Sequence, residues 1–161
     1  PTKAEHVLAS LDGRIALVID DGPTTAGVES TIVRVQGGAV EVLRPGPVTA
    51  EMLGEASGLS VTGVAGADIV APGMLASHYA PGKPVRLDAH AFADEEYAIS
   101  FGALGGDYQL SASGDLTEAA ARLFDALHAG AASAKTRIAA AAVPRDGLGA
   151  AINDRLSRAA V

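Results

Sequence analysis

Between Ala71 and Pro84 the chain reads Ala-Pro-Gly-Met-Leu-Ala-Ser-His-Tyr-Ala-Pro-Gly-Lys-Pro, and this stretch limits the possible folds more than any other. Each proline fixes its own φ, lacks a backbone N–H and biases the preceding residue toward an extended conformation, so neither a long helix nor an interior strand can run through Pro72, Pro81 and Pro84. Gly73 and Gly82 permit sharp changes of direction beside them. A chain of 161 residues interrupted in this way divides into one unit over residues 1–70, a linker over 71–83 and a second unit over 84–161. The linker is either a plain connector with a buried tyrosine and a surface histidine, or a lid whose His78 and Tyr79 reach into a neighbouring cleft.

In the first unit, Thr2 followed three residues later by Glu5 has the form of a capping box. Ala4, Val7, Leu8 and Leu11 then give a short apolar face that ends at Gly13. Ile15-Ala16-Leu17-Val18-Ile19 is an unbroken apolar run of strand length, which predicts a strand central in a sheet over Arg14–Asp20. Asp20-Asp21-Gly22-Pro23 turns the chain. Alternation up to Val35, a Gln36-Gly37-Gly38 turn and a return strand over Ala39–Leu43 predict a hairpin. Thr49 caps a short helix reaching Ala56, and residues 57–70 are glycine-rich and weakly patterned.

The second unit alternates. Val85-Arg86-Leu87 and Tyr97–Phe101 predict short strands, and Asp115 with Glu118 caps a helix whose apolar positions 116, 119, 120, 123 and 127 follow the 3.6-residue period. Thr136–Val143 predicts a strand of small residues, and Leu148, Ala151, Ile152, Leu156 and Ala159 line a last amphipathic helix. Arg155 and Arg158 fall near its C-terminus, where cations favour the helix dipole. Strand, helix, strand, helix implies a small α/β unit with a parallel pair.

Composition narrows the function. With 48% hydrophobic and 19% charged residues the chain has a globular balance. Its formal charge of −7 and its lack of tryptophan disfavour direct binding to a polyanion, so any link to RNA is expected to be indirect. The absence of cysteine excludes disulfides and thiolate metal sites. No apolar run approaches the ~18 residues of a membrane span and no charged-then-apolar leader opens the chain, so a cytoplasmic location without membrane contact is expected. A first residue Pro1, with methionine only at 52 and 74, predicts a part of a longer protein.

Several residues could carry chemistry. Asp21-Gly22-Pro23-Thr24-Thr25-Ala26-Gly27 is either an ordinary strand connection or a loop whose N–H groups and hydroxyls cradle an anion. It has neither the lysine of a phosphate-binding P-loop nor the glycine spacing of a dinucleotide fold. Pairing of the two hairpin strands sets the start of one beside the end of the other, which brings Ser30 and Arg44 to one edge. Arg44 is then either a planar fork for a phosphate or carboxylate, or a surface ion-pair partner of Glu29 or Glu41. His6, His78, His90 and His128 are scattered without metal-ligand spacing, so no protein-bound metal is expected. Asp20-Asp21 and Glu95-Glu96 read as turn and surface residues, not as an acid and base couple, and no catalytic residue is assigned.

Gly27-Val28-Glu29-Ser30-Thr31, Leu43-Arg44-Pro45-Gly46, Ala71-Pro72-Gly73-Met74 with His78-Tyr79-Ala80-Pro81, and Gly147-Leu148-Gly149-Ala150-Ala151-Ile152-Asn153-Asp154-Arg155-Leu156, in this order, resemble the C-terminal part of the Sua5 type of threonylcarbamoyl-AMP synthase, in the YrdC/Sua5 family. Pro1–Val7 also resembles a late segment of that family's catalytic domain. The resemblance implies the C-terminal part of a YrdC-like twisted mixed-sheet domain over 1–70, the linker over 71–83 and a small Rossmann-like α/β Sua5 domain over 84–161. It implies an L-threonylcarbamoyladenylate synthase, a nucleotidyltransferase that condenses L-threonine, bicarbonate and ATP with release of pyrophosphate, Mg²⁺ being bound with the nucleotide. The product would pass to a downstream tRNA-modifying threonylcarbamoyl transferase that makes N6-threonylcarbamoyladenosine at tRNA position 37. By the same resemblance Ser30 contacts L-threonine, Arg44 contacts ATP, and His78 and Tyr79 of the folded-over linker touch the adenylate. Leu75-Ala76-Ser77 replaces the basic and aromatic triplet that often precedes the family's His-Tyr. The family's Lys-x-Arg and Ser-x-Asn motifs are expected upstream of Pro1, so these 161 residues alone are expected to be inactive. A non-catalytic α/β module that senses a nucleotide or docks a partner is the alternative from another class. A carbamoyl transferase on a YrdC-like domain is a third, weaker because such enzymes lack this linker and terminal unit.

Overall fold

A computed structural model describes residues 1–63, 72, 73, 75 and 78–161. Residues 64–71, Met74, Ala76 and Ser77 lie outside the described residues, and with them part of the Leu75-Ala76-Ser77 triplet.

Helix α1 (Ala4–Leu11) occupies the expected span, but its start differs from the capping box. Lys3 is the N-cap and makes no side-chain cap bond, whereas Thr2 donates its backbone N–H to His6 Nδ1 at 3.1 Å. His6 is the residue this helix buries, and Leu8 and Leu11 stay exposed. The reason is the partner surface: His6 Nε2 lies 3.2 Å from Asp125 and its ring stacks on His128 at 3.9 Å between centroids, so a polar fit replaces the apolar stripe. Two of the histidines that are scattered in sequence are therefore neighbours.

The central strand expected over Arg14–Asp20 does not form. Among the described residues no strand pairs with this run, and Leu17 and Ile19 are 76% and 87% exposed. An apolar run of this kind becomes a strand only where neighbouring strands satisfy its N–H and C=O groups.

Strands β1 (Ile32–Gln36) and β2 (Ala39–Arg44) form the expected antiparallel hairpin. Gly37 and Gly38 turn it with φ of 60° and 75°, the left-handed pair that a two-residue loop demands. Thr49 caps α2 (Ala50–Ser57) by accepting the Met52 N–H, and Gly58 in the left-handed region ends it. The helix is a crossover to β3 (Ser60–Gly63), which lies parallel to β2 and completes the order β1-β2-β3. Four residues of weak alternation hid that strand in the sequence.

The remaining elements are β4 (Val85–Ala89), β5 (Glu96–Ser100), β6 (Tyr108–Gln109), α3 (Leu116–Ala132), β7 (Arg137–Ala141) and α4 (Leu148–Ala159). They build a parallel sheet in the order β4-β7-β5-β6, a larger sheet than the expected pair. Asp115 caps α3 through Thr117 and Glu118, as the spacing predicts. At the other end Lys83 donates to the Ser133 carbonyl and to that of Gly130, which also accepts from Ser133, so the end of the helix is held by the linker. Ile99, Leu123, Ile138 and Ile152 are fully buried between the sheet and the helices, each stabilising the fold by about 1.5–3 kcal/mol. The alanine-rich sequence lets the layers approach closely: a Cβ on Gly130 would stand 2.8 Å from Ile138 Cδ1. Glu96, read as a surface residue, is buried at the start of β5, where Arg86 forks its carboxylate and Ala93 donates a backbone N–H. No helix among the described residues is long and apolar enough to cross a membrane.

Candidate functional site

The hairpin brings Ser30 and Arg44 together. Arg44 stands opposite Ile32 across the antiparallel pair, and a register shift between Ile32 and Val33 bends the chain there. From the end of β2 the guanidinium reaches Ser30: Nε donates to its carbonyl at 3.0 Å, and Nη2 to the same oxygen at 2.9 Å and to Oγ at 3.3 Å. Nη1 donates to the carbonyl of Pro72, 3.3 Å away in the linker. One side chain thus holds the Ser30 loop and the start of the proline-fenced strap.

A second lock lies behind the first. Thr31 Oγ1 donates to the Val48 carbonyl at 2.7 Å and accepts the Val48 N–H at 3.1 Å, which ties the Pro45–Val48 turn to the Ser30 loop. Gly46 makes this possible, since a Cβ there would meet Thr31 N at 2.5 Å and the Glu29 carbonyl at 2.6 Å. The Leu43–Gly46 and Gly27–Thr31 motifs are therefore one cross-linked piece of backbone.

The ion-pair reading of Arg44 fails on geometry. Glu41 is taken by Arg34 at 2.6 Å and Glu29 by Arg155 at 2.8 Å, and among the described residues the partners of Arg44 are neutral oxygens. A half-buried guanidinium bonded only to neutral acceptors keeps its full charge available to an anion.

The strap crosses beside this rim. A Cβ on Gly73 would stand 3.0 Å from the Tyr79 hydroxyl and 3.1 Å from Arg44 Cδ, so the phenol and the arginine both press on that glycine. The hydroxyl is buried, no hydrogen-bond partner meets it among the described residues, and burial pushes its pKa up. Tyr79 itself has φ +64°, a left-handed backbone that a bulky residue adopts at a cost of about 1–2 kcal/mol, and its ring packs on Phe124 and His78. His78 donates its backbone N–H to Arg158 O, and Arg158 Nη1 donates to Leu75 O, so α4 grips the strap at two points. Among the described residues no hydrogen bond or ring contact links His78 directly to Arg44; it stands against Tyr79. It lines a cleft of about 370 Å³ with Glu29, Tyr79, Phe124 and His128, on the side of the terminal helices.

The sequence reading missed what supports this rim. The Asp21–Gly27 loop ends against α3, where a Cβ on Gly27 would be 2.2 Å from the Ala120 carbonyl oxygen and Ala121 Cα, and Val28 joins the core of the four-stranded unit. Arg155, expected to offer charge at a helix end, is 0% exposed. It donates to Glu29 Oε2 at 2.8 Å and to Asp154 at 2.7 Å, and its guanidinium lies 5.6 Å from the Tyr79 ring centroid. Burial, the largest single influence, raises the Glu29 carboxyl pKa, but the bond and charge of Arg155 together with a backbone hydrogen bond hold the group below its ordinary value. An acidic residue beside a candidate binding serine was the only sequence signal for this pairing. Glu5, His6 and Asp125 also cluster tightly enough for a cation, but Lys3 Nζ at 2.7 Å and the Tyr108 hydroxyl at 2.6 Å already occupy Asp125.

The fold and this rim define a class of protein: a three-stranded sheet whose edge loops are clamped by a parallel α/β unit, with a proline-fenced strap between them. Comparison with known proteins is specific. Residues 48–161 match the family described as threonylcarbamoyl-AMP synthase, C-terminal domain, and residues 1–46 match the Sua5/YciO/YrdC family, described as telomere recombination. The chain belongs to the Sua5 family of threonylcarbamoyl-AMP synthases. It is 35% identical to the threonylcarbamoyl-AMP synthase of Bacillus subtilis over 99% of its own length and 53% of that protein. The Pyrococcus abyssi enzyme of the same name is 32% identical, with 99% and 53% covered. The crystal structure of P. abyssi Sua5 complexed with L-threonine superposes with a TM-score of 0.82 at 28% identity, covering 99% of this chain and 54% of that one. The chain thus spans about half the length of the curated relatives it matches.

Proposed function

We propose that this chain is the C-terminal portion of an enzyme that makes threonylcarbamoyl-AMP from L-threonine, bicarbonate and ATP with release of pyrophosphate. Residues 1–70 are then the end of the catalytic domain, 71–83 the covering linker and 84–161 the terminal domain. Ser30 binds L-threonine. Arg44 meets the nucleotide phosphate, while Tyr79 and His78 border the adenylate and exclude water from it. Mg²⁺ would arrive with the nucleotide phosphates, as hard-cation chemistry favours. The product passes to a tRNA-modifying threonylcarbamoyl transferase, and the location is cytoplasmic.

The observation that carries this reading is the Arg44 guanidinium, which joins the Ser30 loop to the strap while keeping no carboxylate partner among the described residues. The names of the relatives and the threonine in the P. abyssi crystal support the same substrate. The test is pyrophosphate release by the full-length protein, which should require both L-threonine and bicarbonate. Replacing Arg44 with Ala should lower the rate by about 100-fold or more, the scale on which a charge-stabilising group acts. Release that ignores threonine, or that survives R44A unchanged, would overturn the proposal.

A further inference from the structure

We infer that Arg155 is a positioning residue through which the terminal α/β unit sets the geometry of the substrate-binding rim. A fully buried arginine is costly to desolvate, and one hydrophobic side chain in α4 would fill the same space without that cost. What the arginine adds is direction. From one point in α4 its planar fork bonds Glu29, the residue before Ser30, and lies over the ring of Tyr79, whose hydroxyl presses on Gly73 as Arg44 does. Its second arm, Nη1, is anchored on Asp154 of its own helix, so the fork cannot swing freely. Nη2 has no acceptor among the described residues, so the group is held in place by its two bonded arms and the aromatic face alone.

The segment it holds is already pressed on the terminal unit by Gly27 and Val28, with Ser30 immediately beyond. Arg155 therefore supplies the last constraint on where the Ser30 hydroxyl points and where the tyrosine of the strap stands. Among the described residues, the hydrogen bonds from α4 to this segment and to the strap involve Arg155, which reaches Glu29, and Arg158, which bonds Leu75 and His78. The terminal domain then acts as a template for the rim.

This inference rests on the proposed reaction for its kinetic readout and on the fold for its structural one. In the full-length protein, Arg155→Lys keeps the charge but cannot fork Glu29 and Asp154 together or lie flat over Tyr79. KM for L-threonine should rise about tenfold or more, with a smaller change in kcat. Glu29→Gln should do the same, and the R155K/E29Q double variant should be no worse than either single change. Asp115→Ala, which weakens α3 without touching the rim, serves as the control and should lower thermal stability with KM unchanged. Hydrogen exchange should quicken in residues 24–31 and 78–82 of R155K while the four-stranded sheet stays protected. If the unsubstituted enzyme releases no pyrophosphate with threonine, the proposed reaction falls, and the exchange result still decides the positioning role. Unchanged exchange in both segments, or KM shifts in R155K and D115A that follow their loss of stability equally, would overturn the inference.

Discussion

Gly27→Ala places one methyl group where the Ser30 loop lies against α3. The new Cβ would sit 2.2 Å from both the Ala120 carbonyl oxygen and Ala121 Cα, well inside an ordinary contact. Because those are helix backbone atoms they cannot rotate away, so the loop must retreat by more than an ångström. The backbone adds to the cost, since φ at Gly27 is +70° and an L-residue in that region is destabilised by about 1–2 kcal/mol. If the loop stays in place, overpacking costs a further ~1–3 kcal/mol. If it lifts off, Val28 loses burial worth about 1.5–3 kcal/mol and Arg155 is left buried with a weakened partner. Either route gives a loss of about 2–5 kcal/mol. Urea unfolding of the full-length protein, followed by circular dichroism, measures that loss, and calorimetric titration with L-threonine should show weaker binding in the same variant. A loss below about 1 kcal/mol, with threonine affinity unchanged, would refute the claim that this glycine seats the loop on the terminal unit.

Two further predictions concern the terminal unit. Arg86, with the Ala93 N–H, holds the Glu96 carboxyl at about 2, below its ordinary value of 4.5. A carboxyl lowered on folding stabilises the protein above its unfolded pKa, so this contribution is present above pH 4.5 and fades as the pH falls toward about 2. Arg86 is half exposed, and after screening we expect about 1–2 kcal/mol. Glu96→Gln should lose that amount at neutral pH and show a flatter acid profile in urea unfolding; parallel profiles would contradict it. Asp115→Ala should cost about 1 kcal/mol through the lost N-cap of α3, read as a lower thermal midpoint, and Asp115→Asn should recover most of it.

The two motifs that build the rim were legible as chemistry before they were visible as geometry. A hairpin with a glycine turn dictates that the residues before its first strand and at the end of its second share an edge, which is why Ser30 and Arg44 are within hydrogen-bond reach. The competing ion pairs could be rejected only in three dimensions, where Arg34 and Arg155 claim the two glutamates. Arg155 was misread because its place in a helical period says which face it occupies, not what covers that face. The Arg14–Asp20 run was misread for a related reason, since apolar content favours a strand but only neighbouring strands make one.

By itself, then, the order of residues determined what short-range physics decides: the caps at Thr49 and Asp115, the glycine turn at 37 and 38, the proline break after 71, and the apolar stripes of α3 and α4. Steric limits on φ and local hydrogen bonds act over a few residues, so they can be read there. Tertiary structure alone decided that Gly27 meets α3, that His6 stacks on His128, and that a buried arginine 126 positions along the chain from Glu29 closes on it. Those contacts depend on which surfaces remain uncovered once the sheets have formed, and no local pattern encodes that.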